Sequence, residues 1–374
     1  GVETLTLEDC LRIGIDNNLS LESKRREIQK SKYGVSENRA RLLPQISAVA
    51  GYSNNFDPPV SVTDGSSYGV PYNITQTLQH SANAGLEMQM PLFNQTLYTS
   101  MSIAKVVEEI SRLSYGKARE DIILQISKMY YLGQVTAEQI VLIKANITRL
   151  EELRDITRAF FDNGMSMEVD LKRVNINLEN LKVQYDNAQA MMKQQLNMLK
   201  YIMDYPAEKE IALTPVNTDS ITTVALTGLS ENLYELQLTQ SQLELAERQK
   251  RMITNGYIPS LSLTGNWRYA AYTDKGYHWF HSGPSNHWFR SYGLGLTLRI
   301  PIFDGLDKTY KIRKAMIDIE NRKLAWEDTR KNLQTQYLNA VNDLMNNQRN
   351  FKKQKDNYLL AEDVYAVTSD RYRE

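Results

Sequence analysis

The chain has 374 residues, with 44 basic and 44 acidic side chains, 42% hydrophobic residues and a formal net charge of zero. That length suits two or three ordinary domains, and the balanced charge argues against a nucleic-acid partner, which would need a basic surplus to neutralise phosphates. A lone cysteine, Cys10, excludes an internal disulfide, no Cys/His spacing matches a structural zinc site, and no run approaches the ~18 apolar residues of a transmembrane helix, although a membrane β-barrel stays open.

From the amino end, residues 1–43 are predicted as a first helix carrying Cys10, equally readable there as a packed small side chain. After Pro44, Ile46, Ala48, Ala50 and Tyr52 alternate with Ser47, Val49, Gly51 and Ser53. Before Pro91, Ala82, Ala84, Leu86, Met88 and Met90 alternate with Ser81, Asn83, Gly85, Glu87 and Gln89. A period of two belongs to strands, so residues 44–92 are expected to form a β-hairpin around a long loop. No proline separates Pro91 from Pro206, which permits long helices, since proline lacks an amide donor and clashes with the preceding turn. In that stretch Ile122, Ile126, Met129, Gly133, Thr136, Ile140, Ile143, Ile147 and Leu150 step by alternating fours and threes, and all but Gly133 and Thr136 are apolar. This is a coiled-coil seam. A second seam, Leu171, Val174, Leu178, Leu181, Tyr185, Ala188, Met192, Gln195, Leu199 and Ile202, follows a turn at Asp162-Asn163-Gly164. Residues 93–203 are therefore predicted as two antiparallel helices with a tip near 162–166, the first on the order of 100 Å long.

Residues 204–218 read as a linker and 219–257 as another helix. After Pro259, Leu261, Leu263, Gly265, Trp267 and Tyr269 alternate with Ser260, Ser262, Thr264, Asn266 and Arg268. Before Pro301, Tyr292, Leu294, Leu296, Leu298 and Ile300 alternate with Ser291, Gly293, Gly295, Thr297 and Arg299, completing a second hairpin over 258–301. Residues 302–374 form the last predicted helix, with a seam through Leu333, Tyr337, Ala340, Leu344, Phe351, Tyr358, Ala361 and Tyr365.

Alternation alone fits either a soluble sheet, apolar side to a core, or a membrane barrel, apolar side to lipid and polar side to a wet lumen. Ten residues rise about 33 Å, which when tilted matches the apolar thickness of a membrane. Between the third and fourth strands, Tyr269, Tyr272, Tyr277, Trp279, Phe280, Trp288 and Phe289 suit rings at a membrane interface or an aromatic cluster that binds a ligand. His278, His281 and His287 share that segment; without well-spaced acidic or cysteine ligands they read as exposed or interfacial residues and not as a metal site. The sequons at Asn73 and Asn146 are discounted, the second because it lies inside a predicted coiled-coil helix.

The chain is duplicated. Leu43-Pro44-Gln45-Ile46-Ser47 recurs as Ile258-Pro259-Ser260-Leu261-Ser262, and Met90-Pro91-Leu92-Phe93-Asn94 as Ile300-Pro301-Ile302-Phe303-Asp304. Each half is helix, strand, long loop, strand, long helix. By the same offset the tip at Gly164 would recur one residue past Glu374, so a returning helix of about 40 residues, the equivalent of 165–203, is expected and is missing from this sequence.

These features resemble the TolC family of bacterial outer-membrane efflux and secretion ducts. The resembling residues are Leu5-Thr6-Leu7-Glu8-Asp9-Cys10-Leu11, Asn17-Asn18-Leu19-Ser20-Leu21, the Leu-Pro-Gln-Ile-Ser lead-in at 43–47, the Pro-Leu-Phe and Pro-Ile-Phe exits, and Phe161-Asp162-Asn163-Gly164-Met165-Ser166. The resemblance implies an α+β membrane protein with a duplicated helix-strand-strand-helix unit. Three chains would form a 12-stranded outer-membrane β-barrel, continued by a long periplasmic α-helical coiled-coil barrel. Association is also demanded physically, since four strands cannot close a barrel and lipid does not tolerate open edges.

The function so implied is the passive exit duct of a tripartite efflux system for small toxic compounds or drugs. Its partners would be a periplasmic adaptor (membrane fusion) protein and an inner-membrane pump, proton-driven or ABC type. The predicted pore-lining residues are Asn83, Glu87, Gln89, Asn266, Arg268 and Arg299, whose exposure to lipid would cost several kcal/mol each. Leu86, Met88, Leu261, Leu263, Leu294, Leu296 and Leu298 would face lipid, and Gly164, Met165 and Ser166 would touch the adaptor. The family's acidic constriction maps beyond Glu374, leaving Asp162, Glu168 and Asp170 as first-tip contributors. No Gly-x-Ser-x-Gly elbow, phosphate loop or paired His-Glu motif occurs, so no enzyme activity and no cofactor are expected. The alternatives are a type I protein-secretion duct and a soluble or surface coiled-coil scaffold with a β-rich binding head.

Overall fold

The computed structural model describes residues 2–217, 228–230, 232–274 and 288–373, with side chains through Thr368. In chain order the elements are β1 (Glu3–Leu5), α1 (Leu7–Asn17), α2 (Leu19–Ala40), β2 (Gln45–Asn54), β3 (Val60–Asp64), β4 (Tyr72–Gln76), β5 (His80–Phe93), α3 (Gln95–Asp162), α4 (Glu168–Met203), β6 (Ile211–Leu213), α5 (Tyr234–Asn255), β7 (Ser260–Thr273), β8 (Trp288–Arg299) and α6 (Asp307–Arg373). They fall into two compact units, one of residues 1–29, 110–240 and 325–374, the other of 30–109 and 241–324.

In the first unit, the stretch expected as one helix over 1–43 opens instead with a strand and continues as two helices. Thr6 starts α1 through a capping box: its hydroxyl accepts from Asp9 N (3.1 Å) while its backbone N–H donates to Asp9 Oδ2 (3.1 Å). Asn18 makes the break. Its Oδ1 accepts from Leu21 N (3.0 Å), capping α2, and its Nδ2 donates to the carbonyl of Ile202 (2.7 Å), tying that cap to the end of α4. The supposed linker contributes β6, which pairs in parallel with β1 from Glu3↔Ile211 to Leu5↔Leu213. Leu5, Cys10, Ile126, Tyr130, Leu199, Ile202, Met203 and Ile211 form the core beneath this pair, and Tyr130 Oη donates to the carbonyl of Leu5 (3.1 Å).

Every residue of the two predicted seams on α3 and α4 is buried or half-buried. Gly133 packs against β6: a Cβ there would sit 2.6 Å from Leu213 Cδ1, so a larger seam residue would require the Leu213 side chain to shift. Thr136 Oγ1 satisfies itself on the carbonyl of Leu132 (3.0 Å). On α6 the seam is buried at Leu333, but Phe351, Tyr358 and Tyr365 are exposed, and no element among the described residues covers them.

The second unit holds one four-stranded antiparallel sheet in the order β2-β5-β7-β8. The duplicated motifs play duplicated parts: α2 and α5 both end just before a proline that leads into a strand. Asn94 Oδ1 accepts from Thr96 N (3.0 Å) at the start of α3, and Asp304 Oδ2 from Lys308 N (3.2 Å) at the start of α6. The two exits differ in detail. A register shift at Pro91–Phe93 bends β5 directly into α3, whereas β8 leaves through Gly305 and Leu306, both at φ +67°. The loop expected between β2 and β5 contains the β3–β4 ribbon, paired from Val60↔Gln76 to Asp64↔Tyr72.

Candidate functional site

Register sorts the sheet into two chemically opposed faces. On one lie the rows Gln45–Gln89–Thr264–Gly295, Ser47–Glu87–Asn266–Gly293 and Val49–Gly85–Arg268–Ser291, followed by Gly51–Asn83–Ala270–Phe289. On the other lie Leu261–Leu298, Met90–Leu263–Leu296, Ile46–Met88–Gly265–Leu294 and Ala48–Leu86–Trp267–Tyr292. All six residues predicted to line a pore share the first face, Arg299 standing opposite Ser260 at its end, and all seven predicted to meet lipid share the second. Gly293 and Gly295 sit in β8 on the polar face, opposite Asn266 and Thr264, and not in a phosphate-binding loop.

Among the described residues the polar face carries one ion pair, Arg268 Nη2 to Glu87 Oε1 at 2.9 Å. Gly85 beside it admits no side chain, because a Cβ would lie 2.3 Å from the carbonyl oxygen of Trp267. The apolar face ends in aromatic rows. Trp267 and Tyr269 stack edge-on at 5.4 Å, Tyr52 and Trp288 occupy one row, and Arg290 lies 5.7 Å from the Tyr292 ring. Strand parity could have located Arg290, which shares the phase of Tyr292 and Leu294. The aromatic segment is divided: Tyr269 and Trp288 belong to the apolar face, but Tyr272 and Phe289 to the polar one. Tyr277, Trp279, Phe280, His278, His281 and His287 lie outside the described residues. The fourth histidine was missed: His80 is buried, and its Nδ1 lies 2.8 Å from Tyr52 Oη with the rings stacked at 6.0 Å. No sequence period links Tyr52 to His80; hairpin register brings them together.

Among the described residues no helix or second sheet covers the middle of either face, although His80, Ala271 and Thr273 at its aromatic end are buried. Leu294 on the apolar side is 78% exposed, Leu296 67% and Ile46 67%. The outer edges of β2 and β8 have no strand partner among the described residues.

In the first unit, the α3–α4 tip is a Schellman turn: Gly164, at φ +73°, donates to the carbonyl of Phe161 (2.9 Å) and Met165 to that of Phe160 (2.8 Å). Met165 is 75% exposed, as are Met167 and Val169 to lesser extents, while Ser166 is half-buried with its hydroxyl 3.4 Å from the carbonyl of Thr157. Glu168 and Asp170 lie in the first turn of α4, where acids complement the helix dipole, and a hydrogen bond from Lys172 (2.8 Å) holds the Glu168 carboxyl below its usual range. Among the described residues no group of His, Cys, Asp and Glu could hold a metal.

Segregated faces, free edges and long helices spanning up to 68 residues define a class, that of outer-membrane proteins with a helical extension. The outer membrane efflux protein family model matches residues 13–203, just over half of the chain, and the chain belongs to that family. It is 20% identical to outer membrane protein TolC of Vibrio cholerae over 319 residues, covering 83% of this chain and 66% of that protein. It is 22% identical to the probable efflux pump outer membrane protein TtgC of Pseudomonas putida over a 389-residue alignment, covering 98% and 74%. Among solved structures, CusC superposes with a TM-score of 0.71 at 16% identity, covering 92% of this chain and 78% of that one. The CmeC channel of Campylobacter jejuni superposes at 0.65 and 16% identity, covering 96% and 76%. Its family places the protein in the outer membrane.

Proposed function

We propose that this protein is the outer-membrane exit duct of a tripartite efflux system, passively conducting small toxic compounds. Three copies close a 12-stranded barrel with the polar face inward, and the helices continue it as a periplasmic tunnel. The observation that carries this reading is the four-stranded sheet whose faces are chemically opposed, uncovered over their middle and open at both edges. In water such a sheet exposes a broad apolar surface and two aggregation-prone edges; closure in lipid removes both penalties. Exposed apolar residues on α3, among them Leu124, Val135, Val141 and Leu142, support helix association as well. The tip at Gly164, Met165 and Ser166 meets the hairpin of a periplasmic adaptor, which couples the duct to an inner-membrane pump. Efflux is favoured over type I secretion by the efflux proteins among the chain's relatives.

Spin labels test the barrel. Labels at Leu263 and Leu296 should report acyl chains, and labels at Ser262 and Thr297 water, in a detergent-extracted trimer. A soluble protein with dry polar labels would replace the duct by the scaffold.

A further inference from the structure

We propose that Arg299 makes the barrel lining anion-favouring, so that the duct discriminates between small organic anions and cations of equal size. This rests on the reading that the polar face lines a closed ring. Across the four strands that face carries three charged side chains, Glu87, Arg268 and Arg299. Glu87 and Arg268 neutralise one another at 2.9 Å. Arg299, the last residue of β8, stands opposite Ser260 with Thr297 two positions along on its own face, and no carboxylate among the described residues forms an ion pair with it. Closure brings the free β2 edge of the next copy against β8. The residues β2 presents on the polar face are Gln45, Ser47, Val49, Gly51 and Ser53. None is acidic, so whatever register that seam adopts, β2 supplies no counter-charge. The polar face of each copy's four strands therefore leaves one positive charge, and three copies place three arginines in one ring.

The size of the effect follows from geometry. Twelve strands about 4.8 Å apart, tilted about 40°, put the wall about 12 Å from the axis, and the guanidinium heads about 10 Å or less from it. Three charges at about 10 Å in water enrich a monovalent anion on the axis about fourfold at ~0.01 M salt, where the screening length is ~30 Å. At ~0.1 M the factor is about two, and at ~1 M, with a ~3 Å screening length, it vanishes.

The test is the reversal potential of the full chain in planar bilayers under a KCl gradient, at low and high salt. The parent must first give channels; if it gives none, the duct reading fails and takes this inference with it. With channels present, Arg299→Glu should shift the potential toward cation selectivity, Arg299→Gln by about half as much, and Glu87→Gln, which frees Arg268, in the opposite direction. All three shifts should disappear near 1 M salt. Should Arg299→Glu not insert, Arg299→Cys treated within the open channel with a negative or a positive methanethiosulfonate reagent gives the same comparison, since the native Cys10 is fully buried. Channels whose reversal potential is the same for parent, Arg299→Glu and the two labelled forms at low salt would overturn the proposal and leave the duct intact.

Discussion

Replacing Leu294 by arginine places a charge on the apolar face close to the centre of the proposed membrane band. Successive residues rise about 3.3 Å, and a tilt of about 40° converts two residues into about 5 Å of height. The span from Leu298 to Trp288 then covers about 25 Å, the usual height of the apolar band on an outer-membrane barrel. Leu294 lies about 10 Å above Leu298 and about 15 Å below Trp288, near the midplane, where an arginine costs about 2–4 kcal/mol. Three copies bring about 6–12 kcal/mol, at least four powers of ten in the assembly constant. Thr297→Arg, three positions along the same strand but on the opposite face, should cost under about 1 kcal/mol. The assay is the yield of gel-resistant trimer in outer-membrane fractions, backed by urea titration of the two variants refolded into vesicles. Full assembly of Leu294→Arg beside loss of Thr297→Arg would show that the faces are assigned the wrong way round.

Other outcomes follow from the first unit. Ile126 is fully buried in the cluster under the β1–β6 pair, so Ile126→Ala should lower stability by about 2–5 kcal/mol, read as an earlier helical melting transition by circular dichroism. Burial, followed by the charge of Asp9, pushes the Cys10 thiol up to about 11, so a disulfide reagent at pH 8 should react only after denaturation; rapid reaction in the native state would contradict the packing. Hydrogen bonds from the Thr6 side chain, then its backbone, hold the Asp9 carboxyl below its ordinary 3.8. A carboxyl depressed in the folded state stabilises above its unfolded value and loses that contribution as pH falls through the folded one. The amino-terminal turn of α1 should therefore fray below about pH 4, and Asp9→Asn should flatten that acid limb in amide-exchange measurements; an unchanged limb would remove Asp9 from the cap.

Much of this architecture was legible because its signals are periodic. Strand alternation at 81–90 and 291–300 needs no partner to be recognised, and the 4-3 spacing from Ile122 to Leu150 marks a seam whichever helix fills it. The Asn163-Gly164 turn declares itself through a residue type that accepts positive φ. Single exceptions inside those periods had causes that lie far along the chain. Gly133 in its seam packs against the Leu213 side chain of β6, and Asn18 breaks a helix by bonding to Ile202.

Amino-acid order by itself determined which side of each strand is oily and which is wet, where the long helices turn, and that one unit is written twice. Only tertiary structure decided that β5 lies beside β7, joining two hairpins into one sheet with β2 and β8 at its edges. It alone paired Glu3 with Ile211 and Tyr52 with His80, and set Glu87 against Arg268 while giving Arg299 no ion-pair partner among the described residues. The physical reason is range. Periodicity reports a residue's environment relative to its own neighbours in the chain, whereas strand order and side-chain pairing are settled by contacts between segments that sequence spacing does not relate.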